Sequence, residues 1–435
     1  MNAIDTYLSS FERMNGNVPA WVTTLRREAM RRFSELGLPS TRLEDWKYTD
    51  VAPIAKQPFR LATMVPARIA AHVVDDASFG IGSRLVFVNG RYAPDWSATA
   101  ALPAGTRVAS LGAVLANEPE LIEPHLARHA TPDHGFTALN TAFIQDGAVV
   151  YLPRGAVVAD PIHLLFIAQP GGEPAVAHPR IVIVAEADSQ ATVVETYIGA
   201  GVGAYFTNVV TEIVLGANAD LAHYVLQRES AQAFHVGTVE VHQGSASRLR
   251  SYAVSLGGAL ARHDINTQLD AEGCECTLDG LYMLAGTQHV DHHTSIDHRQ
   301  PRCTSRELYK GVLDGKSSGV FNGKVYVRPH AQHSDAGQVN KNLLLSDEAT
   351  IDTKPQLEIF ADDVKCSHGA TIGRLDDMAL FYLRSRGIDV AEARTLLIAA
   401  FANELIGRMG VAPVRAQLER LVSSRLHAAA AEARV

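Results

Sequence analysis

From about Gly147 to residue 373 the chain is a run of short apolar strands with no helix-period stretch between them, and the strands repeat. Each unit has an apolar run, a turn of small residues, and a second strand closing on a tyrosine. The turns are Ala185-Glu186-Ala187-Asp188, Gly216-Ala217-Asn218-Ala219, Gly244-Ser245-Ala246-Ser247 and Glu272-Gly273-Cys274-Glu275. Tyr197, Tyr224, Tyr252, Tyr282 and Tyr309 close the units at spacings of 27, 28, 30 and 27 residues. One such unit cannot bury its apolar face alone, so a near-constant period predicts stacking into a β-solenoid. A jelly roll or double sheet, which also uses short strands, is the competing architecture.

Helical patterns flank this core. Pro19 opens a helix carrying Trp21, Leu25 and Phe33 on one face, and Gly37 stops it. Leu85 to Val88 followed by Asn89-Gly90 reads as a strand entering a hairpin turn. Ser110 to His129 reads as helix, whereas Glu44 to Asp50 has no clear assignment. After Arg374 come three helical stretches: Met378 to Arg386, Asp389 to Met409 with Glu392 completing a capping box, and Val414 to about Ala429. The division is thus 1–146, mostly helical with a short strand segment; 147–373, β core; and 374–435, helical. Leu396, Leu397, Ala400, Phe401 and Leu405 give the middle helix a wide apolar stripe, to be covered by its own domain or by a partner.

A net charge of −8 gives no electrostatic footprint for nucleic acid. No run of 18 apolar residues provides a membrane span, and Met1 to Phe11 lacks a secretory pattern, so a cytoplasmic location is expected. Four cysteines in 435 residues make no disulfide framework and are expected as free thiols or occasional ligands.

Four stretches invite chemistry. Gly311 to Ser317 approaches a phosphate loop but has three residues between Gly311 and Gly315-Lys316-Ser317 where four are needed, and strand-like residues follow. Nothing else resembles a nucleotide site, so ATP-driven work must come from a partner. His263, His289, His292, His293, His298, His330 and His333 crowd 71 residues; surface positions on solenoid strands are the expectation, a metal site the alternative. Cys274-x-Cys276 places two thiols on one strand face, most simply as structural cysteines. Cys366 and His368 also share a strand face, with Lys365 placed to lower the thiol pKa, and together they form half of a soft-metal site.

The stretch KCSHGATIGRLDDMALFYLRSRGI (365–388) closely resembles the SufD side of the SufB/SufD family, the SUF-system scaffold subunits of iron–sulfur cluster assembly. EDWKYTD (44–50), FTALNTAFIQDGAVVYLPRGAVV (136–158) and the region 321–359 fit the same family. The resemblance implies a mainly β protein, a right-handed parallel β-helix between N-terminal and C-terminal α-helical regions. It implies a non-catalytic subunit that pairs with SufB and binds the ATPase SufC through its C-terminal helices, for which Leu396, Leu397, Phe401 and Leu405 are the candidates. A nascent, transient iron–sulfur cluster would form at the SufB interface, with no cofactor held tightly by the chain alone. The family's interfacial histidine corresponds to His368 and the motif cysteine to Cys366. SufB's essential cysteine corresponds to Asn340, so this subunit would supply only part of a ligand set. A homodimer of the isolated chain stays open. The alternative function is a free-standing metal-dependent enzyme on the solenoid, using the His289–His298 cluster.

Overall fold

In the computed structural model, which describes residues 3–14, 18–62, 69–201 and 203–432, the strand repeat closes into a parallel β-helix of about eight coils. Each coil contributes one strand to each of two sheets. The first sheet stacks Gly147–Leu152, Arg180–Ala185, Tyr205–Leu215, Phe234–Gln243, Leu260–Leu269, His289–His298, Ser318–Val327 and Thr350–Ile359. The second stacks Ile162–Ala168, Gln190–Gly199, Asp220–Arg228, Arg248–Ser255, Glu275–Leu284, Thr304–Leu313, Asp335–Leu344 and Lys365–Gly373. Register is continuous from coil to coil, as in Val193↔His223↔Ser251↔Leu278↔Glu307↔Gln338↔His368. Because side chains alternate faces, every second residue of each strand enters the space between the sheets.

The corner between the sheets is a column of left-handed residues. Gly155, Asp188, Asn218, Ala246, Gly273, Arg302 and His333 all have φ between 54° and 75°. Each donates its backbone N–H to a carbonyl of the next coil, for example Asp188 to Ala217 at 2.8 Å and His333 to Asp363 at 2.7 Å. The turns of small residues read in the sequence are the visible part of this column. Ala246, Arg302 and His333 hold the same strained angle because the stacked coils fix it.

The closing tyrosines do not form one ladder. Tyr224 and Tyr252 are register partners on the outer face, stacked at 4.7 Å. Tyr282 and Tyr309 point inward, each over a glycine one coil away: Tyr282 pairs with Gly311 and Gly280 with Tyr309. A Cβ on Gly280 would lie 2.1 Å from the Tyr309 ring, and one on Gly311 2.2 Å from the Tyr282 ring. These glycines are the space that the tyrosines fill.

Two further expectations are corrected and one holds. The 263–333 histidines are not all on the surface: His263, His292 and His298 are buried in the core, and only His330 and His333 are exposed. Helix after Ser110 covers only Leu111–Asn117, followed by a 3-10 turn at Pro119–Leu121, because Pro119 lacks the N–H that would continue it. Gly315-Lys316-Ser317 is a solenoid corner between two strands: Lys316 pairs with Glu348 at 3.0 Å, and Gly315 stacks tightly on the Gly286 backbone.

Terminal regions cover the two outer faces. The 44–50 segment, unassigned from sequence, clamps onto the first sheet. Trp46 is buried beneath the Arg262 guanidinium at 3.7 Å, Thr49 donates to Asp291 at 2.5 Å, and Asp45 and Glu44 pair with Lys324 and Lys354. The helices Val390–Ile406 and Ala412–Glu432 pack on the second sheet, forming an apolar cluster with Tyr224, Tyr252, Leu281, Met283 and Val312. There the buried Lys310 ammonium bonds Glu404 at 2.6 Å and lies 3.9 Å from the Phe401 ring. No helix among the described residues is long and apolar enough to cross a membrane.

Candidate functional site at the open end of the solenoid

The N-terminal coils are capped, whereas among the described residues nothing caps the C-terminal end. Thr350–Ile359 and Lys365–Gly373 are the edge strands of the two sheets, each hydrogen-bonded on one side only. No residue of either strand is buried, and Ile359, Phe360 and Ile372 are exposed. Two long edges with apolar neighbours form a template for further pairing unless something covers them. Pro355 is tolerated here because its missing N–H breaks only an unpaired edge.

Cys366 and His368 lie on the inner face of the last strand, opposite Ala336 and Gln338. Cys366 packs with Val325, Val327, Ala331, Ala336, Leu357, Ala361 and Val364. Its thiol is pushed above the ordinary value, first by burial and further by Asp335. Lys365 does not lower it, since neighbouring strand residues point to opposite faces. The His368 ring is exposed. One strand inward, Gln338 donates to Glu307 at 2.6 Å, and the Glu307 carboxyl is raised to about 7 by burial. Asn340 is buried beside them, donating to the Tyr282 hydroxyl at 3.3 Å and the Tyr309 carbonyl at 3.2 Å.

The other predicted residues are dispersed. His292 and His298 point into the core, while His289 and His293 point outward toward the 44–50 clamp: His289 meets Thr49 at 2.9 Å and His293 meets Asp291 at 3.0 Å. Among the described residues no three His, Cys, Asp or Glu side chains converge on a metal position. Cys274, Cys276 and Cys303 are buried free thiols in the core. On the middle C-terminal helix, Leu405 is fully buried against the second sheet and Phe401 packs on the same cluster, whereas Leu396 is exposed. Leu405 therefore cannot face a partner while that helix is docked. The most exposed apolar side chains of the C-terminal helices are Met378, Phe381 and Tyr382, 74%, 68% and 55% accessible on the preceding helix Asp377–Ser385, none of whose residues is buried. Their i, i+3, i+4 spacing was present in the sequence; what it lacked was any sign that this helix is left uncovered.

The chain is thus a parallel β-helix whose two sheets end in edge strands paired on one side only. Residues 1–164 match the SufBD protein N-terminal region and residues 166–401 match the SufBD core domain of SUF-system FeS cluster assembly. The chain belongs to the SufBD family of iron–sulfur cluster assembly proteins. It is 33% identical to the iron–sulfur cluster assembly protein SufD of Escherichia coli, with 92% of each chain covered. It is 36% identical to a SufBD family protein of Synechocystis over 95% of this chain and 93% of that one, and 25% identical to SufD of Bacillus subtilis over 97% of both.

Proposed function

We propose that the chain is a non-catalytic, cytoplasmic scaffold subunit that pairs with SufB through the open end of the solenoid and helps to hold a nascent iron–sulfur cluster there. The observation that carries this reading is the pair of uncovered edge strands with Cys366 and His368 on the inner face of one of them. A second family chain adds its own edges, removing the aggregation hazard and completing a seam lined by both subunits. A second copy of this chain could occupy the same edges when SufB is absent. Cluster iron wants four ligands, and one imidazole with one partly buried thiol is a fraction of that set. The cluster is cargo, and the remaining ligands come from across the seam.

His368→Ala in the assembled complex should lower cluster yield by about 10-fold or more, the range seen when one contributor to a metal site is lost, while subunit pairing persists. Full cluster yield from the alanine variant would remove His368 from the site.

The helix carrying Met378, Phe381 and Tyr382 is the contact we assign to SufC, the ATPase that supplies the motor this chain lacks. Such aromatic anchors carry about 2 kcal/mol or more each at an interface, so Phe381→Asp should weaken capture of SufC by roughly 30-fold. Leu396→Asp should weaken it less, and unchanged capture by both variants would move the contact elsewhere.

A further inference from the structure

We propose that Gln338 is a positioning residue for His368, accepting one imidazole N–H and so leaving the other ring nitrogen, with its free lone pair, turned to the seam. This rests on the assignment of His368 to the cluster site.

The argument begins with an acceptor that has no donor. Gln338 is 1% exposed, and its Nε2 donates to Glu307 Oε2 at 2.6 Å. Above pH 8, where the Glu307 carboxyl has lost its proton, it can only accept, so the NH₂ end of the amide is the one it meets. The amide Oε1 is then turned away from Glu307, and it is buried without a hydrogen-bond partner. Buried carbonyl oxygens are almost always satisfied, so a donor is owed to it.

The surroundings restrict which donor that can be. On the same strand face, Ala336 has nothing to give, and both hydrogens of the Asn340 amide are committed to Tyr282 and Tyr309. Across the core lies Gly323, whose missing side chain makes the room: a Cβ there would sit 2.0 Å from Gln338 Nε2. Glu307 already accepts. Toward the open end lies His368, register partner of Gln338 on the next strand and on the same inner face. Adjacent strands are ~4.8 Å apart, within reach of a long amide and an imidazole. The His368 ring is exposed at the open end and can turn to deliver its N–H.

The ladder Glu307–Gln338–His368 then has the logic of the acceptors placed behind metal-ligating histidines. They select a tautomer, fix ring orientation and present the second nitrogen as a base or ligand. Glu307 acts through Gln338 by preventing the amide from flipping.

Histidine-selective ¹⁵N NMR of the full chain, recorded above pH 8, reads the tautomer directly, with His368→Ala giving the assignment. The expected result is one dominant tautomer and slowed ring N–H exchange at His368. Both should be lost in Gln338→Leu, and partly lost in Glu307→Leu, where the amide is free to flip. In the complex, Gln338→Leu should lower cluster yield toward that of His368→Ala while pairing persists. Averaged tautomers with fast exchange in the wild-type chain overturn the proposal whatever the variants do, as does a His368 signal that is identical in a folded Gln338→Leu protein. Undiminished cluster formation by His368→Ala would instead sink the functional reading, with the NMR result still deciding the hydrogen bond.

Discussion

Replacing Arg180 with alanine is expected to destabilise the protein by about 3–5 kcal/mol, the cost of leaving a buried charge without its partner. Arg180 and Glu212 are both fully buried and paired at 2.7 Å. The guanidinium also donates to Asn140 at 3.0 Å and Thr141 at 3.3 Å. Glu212 in turn accepts the backbone N–H groups of Ala127, His129 and Ala130 at 2.7–3.1 Å. Four donors hold its carboxyl below the usual range against the opposing effect of burial. One ion pair therefore fastens both the 127–130 loop and the Gly135–Ala142 helix to the outer face of the first sheet. Arg180→Lys keeps the charge but not the forked geometry, and should cost less than alanine. Denaturant unfolding measures the loss, and hydrogen exchange should show it spreading through residues 122–142. An alanine variant within 1 kcal/mol of the parent would mean that the loop holds itself.

Acid should unfold this protein steeply below about pH 5. Burial pushes His163, His178 and His292 down to about 3, and His263 and His298 down to about 4, from 6.5. A folded value below the unfolded one means that the unfolded chain takes up these protons first. Stability is therefore fully present above pH 6.5 and lost as pH falls toward the folded values. Three buried carboxyls act in the opposite sense: Glu240 is raised to about 8, Glu307 to about 7 and Asp279 to about 6. They keep protons that the unfolded chain releases, so their contribution is lost as pH rises through those values. Between pH 6.5 and 5 the two sets partly cancel. Below about pH 5.5 the histidines outweigh the carboxyls by roughly two to three protons, a slope of about 3–4 kcal/mol per pH unit that lasts until the folded imidazoles themselves begin to charge. The expected profile has its maximum near pH 6–7, a shallow decline to about 5 and a collapse beneath. Denaturant midpoints measured from pH 8 to 4 test it; a flat profile between 6.5 and 4 would show that these imidazoles are hydrated and free to charge.

Burial on this scale was invisible beforehand for a specific reason. On a solenoid strand, a polar residue at an inward position looks the same in sequence as one at an outward position until register is known. His292 and His293 are adjacent; the first stacks against Tyr282 in the core and the second meets solvent and Asp291. The tyrosine period correctly signalled repetition but mixed outward Tyr224 and Tyr252 with inward Tyr282 and Tyr309. The period counts coils and is indifferent to which side a residue takes. The 44–50 segment was unreadable because its stability comes from Arg262, Asp291, Lys324 and Lys354, all more than 200 residues away.

By itself the sequence determined that the chain is a stack of β coils with helices at either end, that Gly315-Lys316-Ser317 cannot cradle a phosphate, and that Cys366 and His368 share a strand face. Each depends on periodicity or spacing along the chain, which local geometry alone dictates. Tertiary structure decided that these two residues belong to the last, uncovered coil. It also decided that Leu405 is core while Phe381 is surface, and that a buried Gln338 oxygen waits behind His368. Those facts depend on which strand stacks on which and where the stacking stops, and they come from the summed register of eight coils rather than from any one segment.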